Sequence, residues 1–559
     1  MSRWTWIDSV IFWAVAIFGV VSFVTLLVAP HFFRPSEDAV ILFQYSRNLA
    51  HTGAITYVTN GPHAEGATDF GWMLLIAEGM KLHISPLWVV AFCNVASLAL
   101  LTWLLLRIAG VRFYSAAALF IIGTYGLMPQ LGASLVGFSV LPFACLLVMM
   151  VFCFLNRNDV ALALTCLLLC LFRPDGVVFA VPMLIGSLVV YDARIRRAAI
   201  FSGGFLIPGL VYFVWRWHYF NSLLPLPFLV KSNTQRFAHL VVPDSLVQGA
   251  FLCVFTFVLG WVVWRKSGRH PGPTRAIVLC LMLLPNLFYF AMHLEQNTGR
   301  RFFIYLPVSL AVLIAMQWEG IRVRRVLLLR LAVALWFVFI CRLWLTSLQG
   351  ALEGELGTRQ AIASDLGRSG VGTLIVTEAG ILPYYSHWIT YDAWGLNTAR
   401  FSRHLIQPSD VAAIRPDAIM MFTGDEVPEC TKGVGWQTPY TEHGWQNMTR
   451  NLVVGADPSA YDLWYVPFGN SRLRAIRGFK SWQGGQDCWF VRRSSPLAAD
   501  IAKALSQHGG LPEKRYEELQ ATPSPEGPLP ASTATAEAHP GILRFIGGRT
   551  YRWWRALSD

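Results

Sequence analysis

The sequence predicts an α-helical polytopic membrane protein, with about eleven transmembrane helices followed by a C-terminal extracytoplasmic α/β domain. Three observations predict it. Of 559 residues, 55% are apolar and only 14% charged, whereas soluble globular chains carry about 25% charged residues. Apolar runs of about 20 residues recur, each long enough at ~1.5 Å per residue to cross ~30 Å of hydrocarbon, and the mean hydropathy is +0.47. Beyond Gly350 the composition turns polar, since 21 of the 33 acidic residues lie there. A soluble enzyme, a disordered chain, a collagen and a coiled coil are excluded. Nucleic acid is excluded as a partner because the net charge of +12 is spread over short loops rather than gathered on one polar domain.

The first apolar run, 7–28, is too long for a signal-peptide core, and no A-x-A cleavage pattern follows, so it reads as a retained helix with its N-terminus inside. Further spans are expected at 82–106, 113–128, 135–155, 161–172, 177–190, 200–217, 246–264, 277–292, 302–316 and 326–345. Residues 70–81, with Glu78 and Lys81, read as a short interfacial helix. Basic residues crowd every second loop: Arg107 with Arg112, Arg157, Arg194 with Arg196 and Arg197, Arg265 with Lys266, Arg269 and Arg275, then Arg322 with Arg324 and Arg325. The positive-inside rule makes these loops cytoplasmic. An odd number of spans then leaves everything after 345 outside a multi-pass plasma (inner) membrane protein. Spans 161–172 and 177–190 are short for a bilayer, so the turn between them, Arg173-Pro174-Asp175-Gly176, is expected to sink below the outer surface.

Residues 1–349 therefore form the transmembrane domain, 350–520 the exported domain, and 521–559 a Pro/Ala-rich linker with a basic, aromatic tail. In the exported part, a helix is expected around 359–366, strands at 373–377, 388–391 and 418–422, a Gly-Pro turn after the first strand, and short β segments beyond Tyr440. Eight of the ten cysteines sit in spans or at their ends and read as small hydrophobes. Cys430 and Cys488 are exported; an oxidising compartment lets them pair, and two unpaired thiols are the alternative.

Charges near a bilayer are costly, so the informative ones are those that topology does not require. On the outer side they fall in four places: Arg34, Glu37, Asp38 and Arg47; Arg173 and Asp175; Lys231 and Arg236; Glu295, Arg300 and Arg301. Adjacent carboxylates such as Glu37 and Asp38 can supply a general base or bind a divalent cation. They also suit the first turn of a helix capped by Ser36. Arg173 and Asp175 suit a capped turn in which they pair. Lys231, Arg300 and Arg301 suit a phosphate, either of a bound lipid headgroup or of the bulk bilayer.

Five segments in order carry a resemblance. They are Glu37-Asp38-Ala39 through Tyr45-Ser46-Arg47-Asn48, with Gly53, Asn60-Gly61 and Glu65-Gly66-Ala67-Thr68; Phe172-Arg173-Pro174-Asp175-Gly176; Tyr219-Phe220-Asn221-Ser222-Leu223-Leu224-Pro225 with Lys231; Gly299-Arg300-Arg301-Phe302 with Pro307; and Glu378-Ala379-Gly380-Ile381-Leu382-Pro383-Tyr384-Tyr385-Ser386 with Asp392 and Gly395. Together they resemble the GT-C glycosyltransferases, and within them the actinobacterial cell-wall arabinofuranosyltransferases. Two departures stand out: the acidic pair is Glu-Asp rather than Asp-Asp, and the fourth span opens on Ser134-Leu135-Val136-Gly137, without the acidic residue that relatives often show.

The resemblance implies a GT-C fold, a polyprenyl-phosphate-sugar donor with arabinofuranose as the first choice of sugar, and an extracytoplasmic glycan or other acceptor presented by exported Trp and Tyr side chains; a hexose donor and a protein or lipid acceptor stay open. It points to Asp38 as the catalytic carboxylate, with Glu37 as helper or metal ligand, while the Glu-Asp order leaves open which of the two takes the proton. Lys231, Arg300, Arg301 and Arg173 are then the donor-phosphate cations, and Glu65, His63, Asp175 and Tyr45 the substrate contacts. No cofactor is required, and a divalent cation is left open. Two other classes compete. A transporter or flippase usually carries its site near the bilayer midplane at a repeat interface, and no repeat is visible here. A sensor needs an output segment on the cytoplasmic side, and no such loop is long enough.

Overall fold

In a computed structural model of the chain, residues 24–28, 30, 34–110, 130–231, 254, 258, 261, 271–291, 298–316, 356–422, 430–431, 442–467 and 486–514 are described. The chain divides into two compact units. The first comprises Met1–Leu229 and His239–Leu352, the second Val230–Ala238 and Glu353–Asp559.

The first unit is helical. Pro86–Ala109, Arg194–Phe220 and Gly272–Tyr289 are long and apolar enough to cross a membrane, and Val140–Leu155, Asp159–Phe172, Pro174–Val190 and Arg301–Leu313 are shorter apolar helices. The expected spans 113–128 and 326–345 lie outside the described residues, as do nearly all of 7–28 and 246–264. Phe70–Lys81 is a helix of its own, separated from Pro86–Ala109 by a turn at His83. Asp159–Phe172 and Val177–Val190 have 14 residues each, about 21 Å of rise, and meet at a 3-10 turn over Pro174–Gly176.

Two spans differ most from expectation. The run 135–155 is broken: a short helix, Gln130–Leu135, ends in a turn at Gly137 (φ +116°), and the long helix starts at Val140. Hydropathy does not see this break, because the turn residues are themselves small or apolar. The run 200–217 starts earlier, at Arg194. Arg197 is drawn into the helix and buried, where it pairs with Asp159 and donates to Ser187 Oγ at 3.0 Å. The core of this unit packs Leu101, Leu105, Phe143, Leu147, Phe154, Phe179, Met183 and Tyr305. Between apolar helices in lipid, close packing rather than transfer from water holds such a core.

The second unit is an α/β domain around a six-stranded mixed sheet of order β2-β1-β3-β5-β4-β6. The strands are β1 Thr373–Val376, β2 Ile389–Asp392, β3 Ala418–Met421, β4 Tyr461–Pro467, β5 Gln486–Arg492 and β6 Leu511–Pro512. β1 pairs parallel with β2 and β3, and the remaining pairings are antiparallel. The helix Leu356–Ser369 covers the one expected around 359–366. Two expectations fail here. The Gly-Pro turn is a helix, Ile381–Ser386, because Pro383 in a first turn has no intrahelical N–H to lose. The segment after Tyr440 opens with a helix, Glu442–Gly455. Its buried residues Trp445, Met448, Thr449 and Leu452 recur at helical spacing, a stripe that the Trp and Gly content obscures.

Asp392 ends β2 as a staple. Its Oδ1 accepts from Trp394 N and its Oδ2 from the backbone and side-chain N–H groups of Asn397, all at 2.9 Å. Gly395 (φ +87°) completes the turn where a Cβ would strike Phe401 O. Cys430 and Cys488 form a disulfide with Cα atoms 5.8 Å apart, closing a separation of 58 residues and tying β5 to the segment beyond β3. Replacing both by Ser is expected to cost about 2–4 kcal/mol. The effect is read as an earlier denaturant transition of the full-length protein, and an unmoved transition contradicts it.

Candidate active site

Ser36 caps the helix Glu37–Thr52, its Oγ accepting from Ala39 N at 3.3 Å, so Glu37 and Asp38 occupy the first turn, where the helix dipole favours carboxylates. Ser36 N donates to Val136 O at 3.0 Å, which seats the helix start on the Gly137 turn. A Cβ on Gly137 would come within 2.9 Å of Ala39 Cβ. The Asp38 side chain stays 49% exposed, and Arg301 Nη2 donates to its Oδ2 at 3.3 Å. Arg301 lies 263 residues further along the chain, in the 3-10 turn Thr298–Ile304, with its guanidinium over the Phe138 ring at 4.3 Å.

Beside this pair lies a second one. Arg173 is buried, with its guanidinium between Phe143 (4.5 Å) and Phe302 (4.9 Å). It donates through Nε to Asp175 Oδ1 at 3.0 Å and through Nη2 to Asp175 Oδ2 at 2.5 Å. Its Nη1 reaches Arg301 O at 3.3 Å. Tyr289 OH donates to Asp175. Arg173 thus pairs with a carboxylate and reaches the backbone that carries Arg301. Asp175 in turn accepts from both Arg173 and Tyr289.

A third carboxylate escaped the sequence reading. Asp69 precedes the helix Phe70–Lys81, and its Oδ2 accepts from Ser139 Oγ at 2.8 Å. Burial pushes its carboxyl up, against the pull of Arg173 and of the Ser139 hydroxyl, with Asp175 adding to the push and Arg301 to the pull. The sequence signal that could have found it is its place directly after Glu65-Gly66-Ala67-Thr68 and before the helix Phe70–Lys81.

Glu65, His63 and Tyr45 belong to a separate arrangement that shapes the loop after the first helix. Tyr45 is buried and its hydroxyl accepts from Gly66 N at 3.0 Å, so it holds the loop. Asn48 Nδ2 and Gln44 Nε2 add bonds to the carbonyls of Thr56 and Tyr57. The exposed His63 stacks on Tyr219 with centroids 4.1 Å apart. Glu65 is buried and accepts from Arg216 Nε at 2.6 Å, while Arg216 Nη1 donates to Leu223 O at 3.0 Å. Burial raises the Glu65 carboxyl, and Arg216 opposes the rise. By hydropathy Arg216 falls at the end of the expected span 200–217. Glu65→Gln is expected to cost about 1–3 kcal/mol by weakening a charged hydrogen bond, read as a lower melting temperature in detergent; no change would show the pair to be dispensable.

The Arg300 side chain lies outside the described residues. Lys231 is exposed and clusters with the second unit. Among the described residues no three His, Cys, Asp or Glu side chains gather as a metal-binding set.

The model of a domain of unknown function, DUF8728, matches residues 354–467. No curated protein matches the chain in sequence. Among solved structures, ArnT from Cupriavidus metallidurans in the apo state superposes with a TM-score of 0.50 at 15% identity, covering 73% of this chain and 92% of that one. The same protein bound to undecaprenyl phosphate gives 0.49 at 13% identity, with coverages of 73% and 93%. The archaeal oligosaccharyltransferase AglB from Archaeoglobus fulgidus, in complex with an inhibitory peptide and a dolichol-phosphate, gives 0.44 at 11% identity, with coverages of 89% and 78%. The apo ArnT likeness shows the fold: over 73% of its length this chain is built like ArnT.

Proposed function

We propose that the chain is a membrane glycosyltransferase that moves a sugar from a polyprenyl-phosphate donor to an extracytoplasmic glycan, with arabinofuranose as the sugar that the sequence resemblance favours. The observation that carries this reading is the Asp38–Arg301 pair: a half-exposed carboxylate and a guanidinium from remote segments stand 3.3 Å apart on a buried, braced support. Glycosyl transfer needs both groups. As the acceptor oxygen bonds to the anomeric carbon, its proton passes to Asp38. The bond from that carbon to the phosphate oxygen breaks, and its electron pair leaves with the polyprenyl phosphate. Arg301 is proposed as the cation that meets this growing charge, and a cation so placed contributes several kcal/mol to the transition state. Arg300 is proposed as a further phosphate contact, and Glu37 as the helper of Asp38. Donor phosphate drawing on Arg301 would loosen its hold on Asp38, so donor binding itself would ready the base.

The test follows released polyprenyl phosphate when the purified protein meets a panel of polyprenyl-phosphate sugars and a glycan acceptor. Release from the arabinofuranosyl donor is expected. Release from a hexose donor alone replaces the sugar and keeps the reaction class. Movement of the lipid across proteoliposomes without bond cleavage overturns the reading in favour of a flippase.

A further inference from the structure

The turn between Gln130–Leu135 and Val140–Leu155 is where the supports of the reaction centre meet. Val136 O receives the Ser36 N–H at 3.0 Å, two residues before Asp38. Gly137 O receives Trp72 Nε1 at 3.0 Å. Phe138 lies under the Arg301 guanidinium at 4.3 Å. Ser139 Oγ donates to Asp69 Oδ2 at 2.8 Å. One side of the turn thus carries both members of the Asp38–Arg301 pair, and the other is tied to the helix Phe70–Lys81 by two side-chain bonds, from Trp72 and Asp69. The segment Ser134-Leu135-Val136-Gly137 holds no acid of its own; the carboxylate found at its end comes from Asp69.

Resting on the reading above, we propose that Asp69 is a positioning residue of this centre: by anchoring Ser139 it holds the 136–139 turn, and through that turn it keeps Asp38 in register with Arg301. The contribution lies in an oxygen acceptor at a fixed place. Burial works against a full charge on Asp69, and an amide oxygen in the same position can take the Ser139 hydrogen bond. Arg173, Asp175 and Arg301 surround the group electrostatically, so a role that needed its charge would betray itself when the charge alone is removed.

The test uses the full-length protein. With Asp69→Ala, kcat for polyprenyl-phosphate release is expected to fall about 10- to 100-fold, the scale of a small misplacement of reacting groups, while KM changes less than about twofold. Asp69→Asn is expected to stay within about threefold of the parent, and Ser139→Ala to match Asp69→Ala, with the double variant no worse than either because the two share one bond. Hydrogen exchange supplies a readout independent of turnover: Asp69→Ala, but not Asp69→Asn, speeds exchange in peptides covering 34–40. Unchanged exchange there in Asp69→Ala overturns the inference whatever the donor result. An Asp69→Asn variant as slow as Asp69→Ala also overturns it, since the charge and not the anchor would then matter. Absence of polyprenyl-phosphate release by the parent protein overturns the glycosyltransferase reading instead, and leaves the exchange result to decide on the anchor.

Discussion

Asp38→Asn is expected to lower kcat for sugar transfer by about 10²- to 10⁴-fold, the usual contribution of a positioned general base. The substitution keeps the shape and the hydrogen-bonding reach of the side chain and removes its ability to take a proton. Ser36 still caps the helix, and the lost charge in the first turn costs only about 0.3–1 kcal/mol of helix stability, so the protein stays folded. KM for the donor is expected to change little, because the proposed phosphate contacts remain and Arg301 no longer faces a charged partner. The measurement is released polyprenyl phosphate under saturating donor, beside Glu37→Gln as the neighbouring control, for which a smaller loss is expected. Undiminished turnover in Asp38→Asn refutes Asp38 as the base. A loss confined to Glu37→Gln moves the role one residue back.

Arg359→Ala is expected to have the largest effect on stability in the second unit. Arg359 and Asp487 are both buried, with side-chain exposures of 3% and 1%, and two bonds of 2.7 Å join them. Burial pushes the Asp487 carboxyl up and Arg359 holds it back. The pair therefore contributes little net stability while intact. Removing Arg359 leaves a carboxyl without its partner inside the domain, and such breaks cost about 3–5 kcal/mol. Replacing both residues by apolar ones of similar volume, Arg359→Met with Asp487→Leu, is expected to restore most of that loss. Denaturant unfolding followed by tryptophan fluorescence reads both. A single substitution no worse than the double would show that the pair is not buried in solution as it is in the structure.

Much of the architecture was legible before any coordinates. Hydropathy marks apolar helices because a bilayer demands about 20 apolar residues of each span, and the Ser36 cap and the Arg173–Gly176 turn announce themselves through local chemistry of a few residues. Strands β1, β2 and β3 were visible for the same reason: short apolar runs between turn residues. Where the reading failed, two local signals competed. In 442–455 the Trp and Gly content masked a helical stripe, and in 135–155 an unbroken apolar run hid the turn at Gly137 that seats Asp38.

The site was legible in its parts and not in its wiring. The sequence by itself determined which residues were too costly to lie near a bilayer without a purpose, and so singled out Asp38, Arg173, Asp175 and Arg301, since the cost of a charge depends on its own chemistry and on the hydropathy around it. Only the tertiary structure decided the partners: that Asp38 meets Arg301, that Arg173 spends its donors on Asp175, that Glu65 answers Arg216, and that Asp69 reaches Ser139. Those pairings join residues up to 263 positions apart. Hydrogen bonds and ion pairs act over a few ångströms of space, a separation that no spacing along the chain encodes.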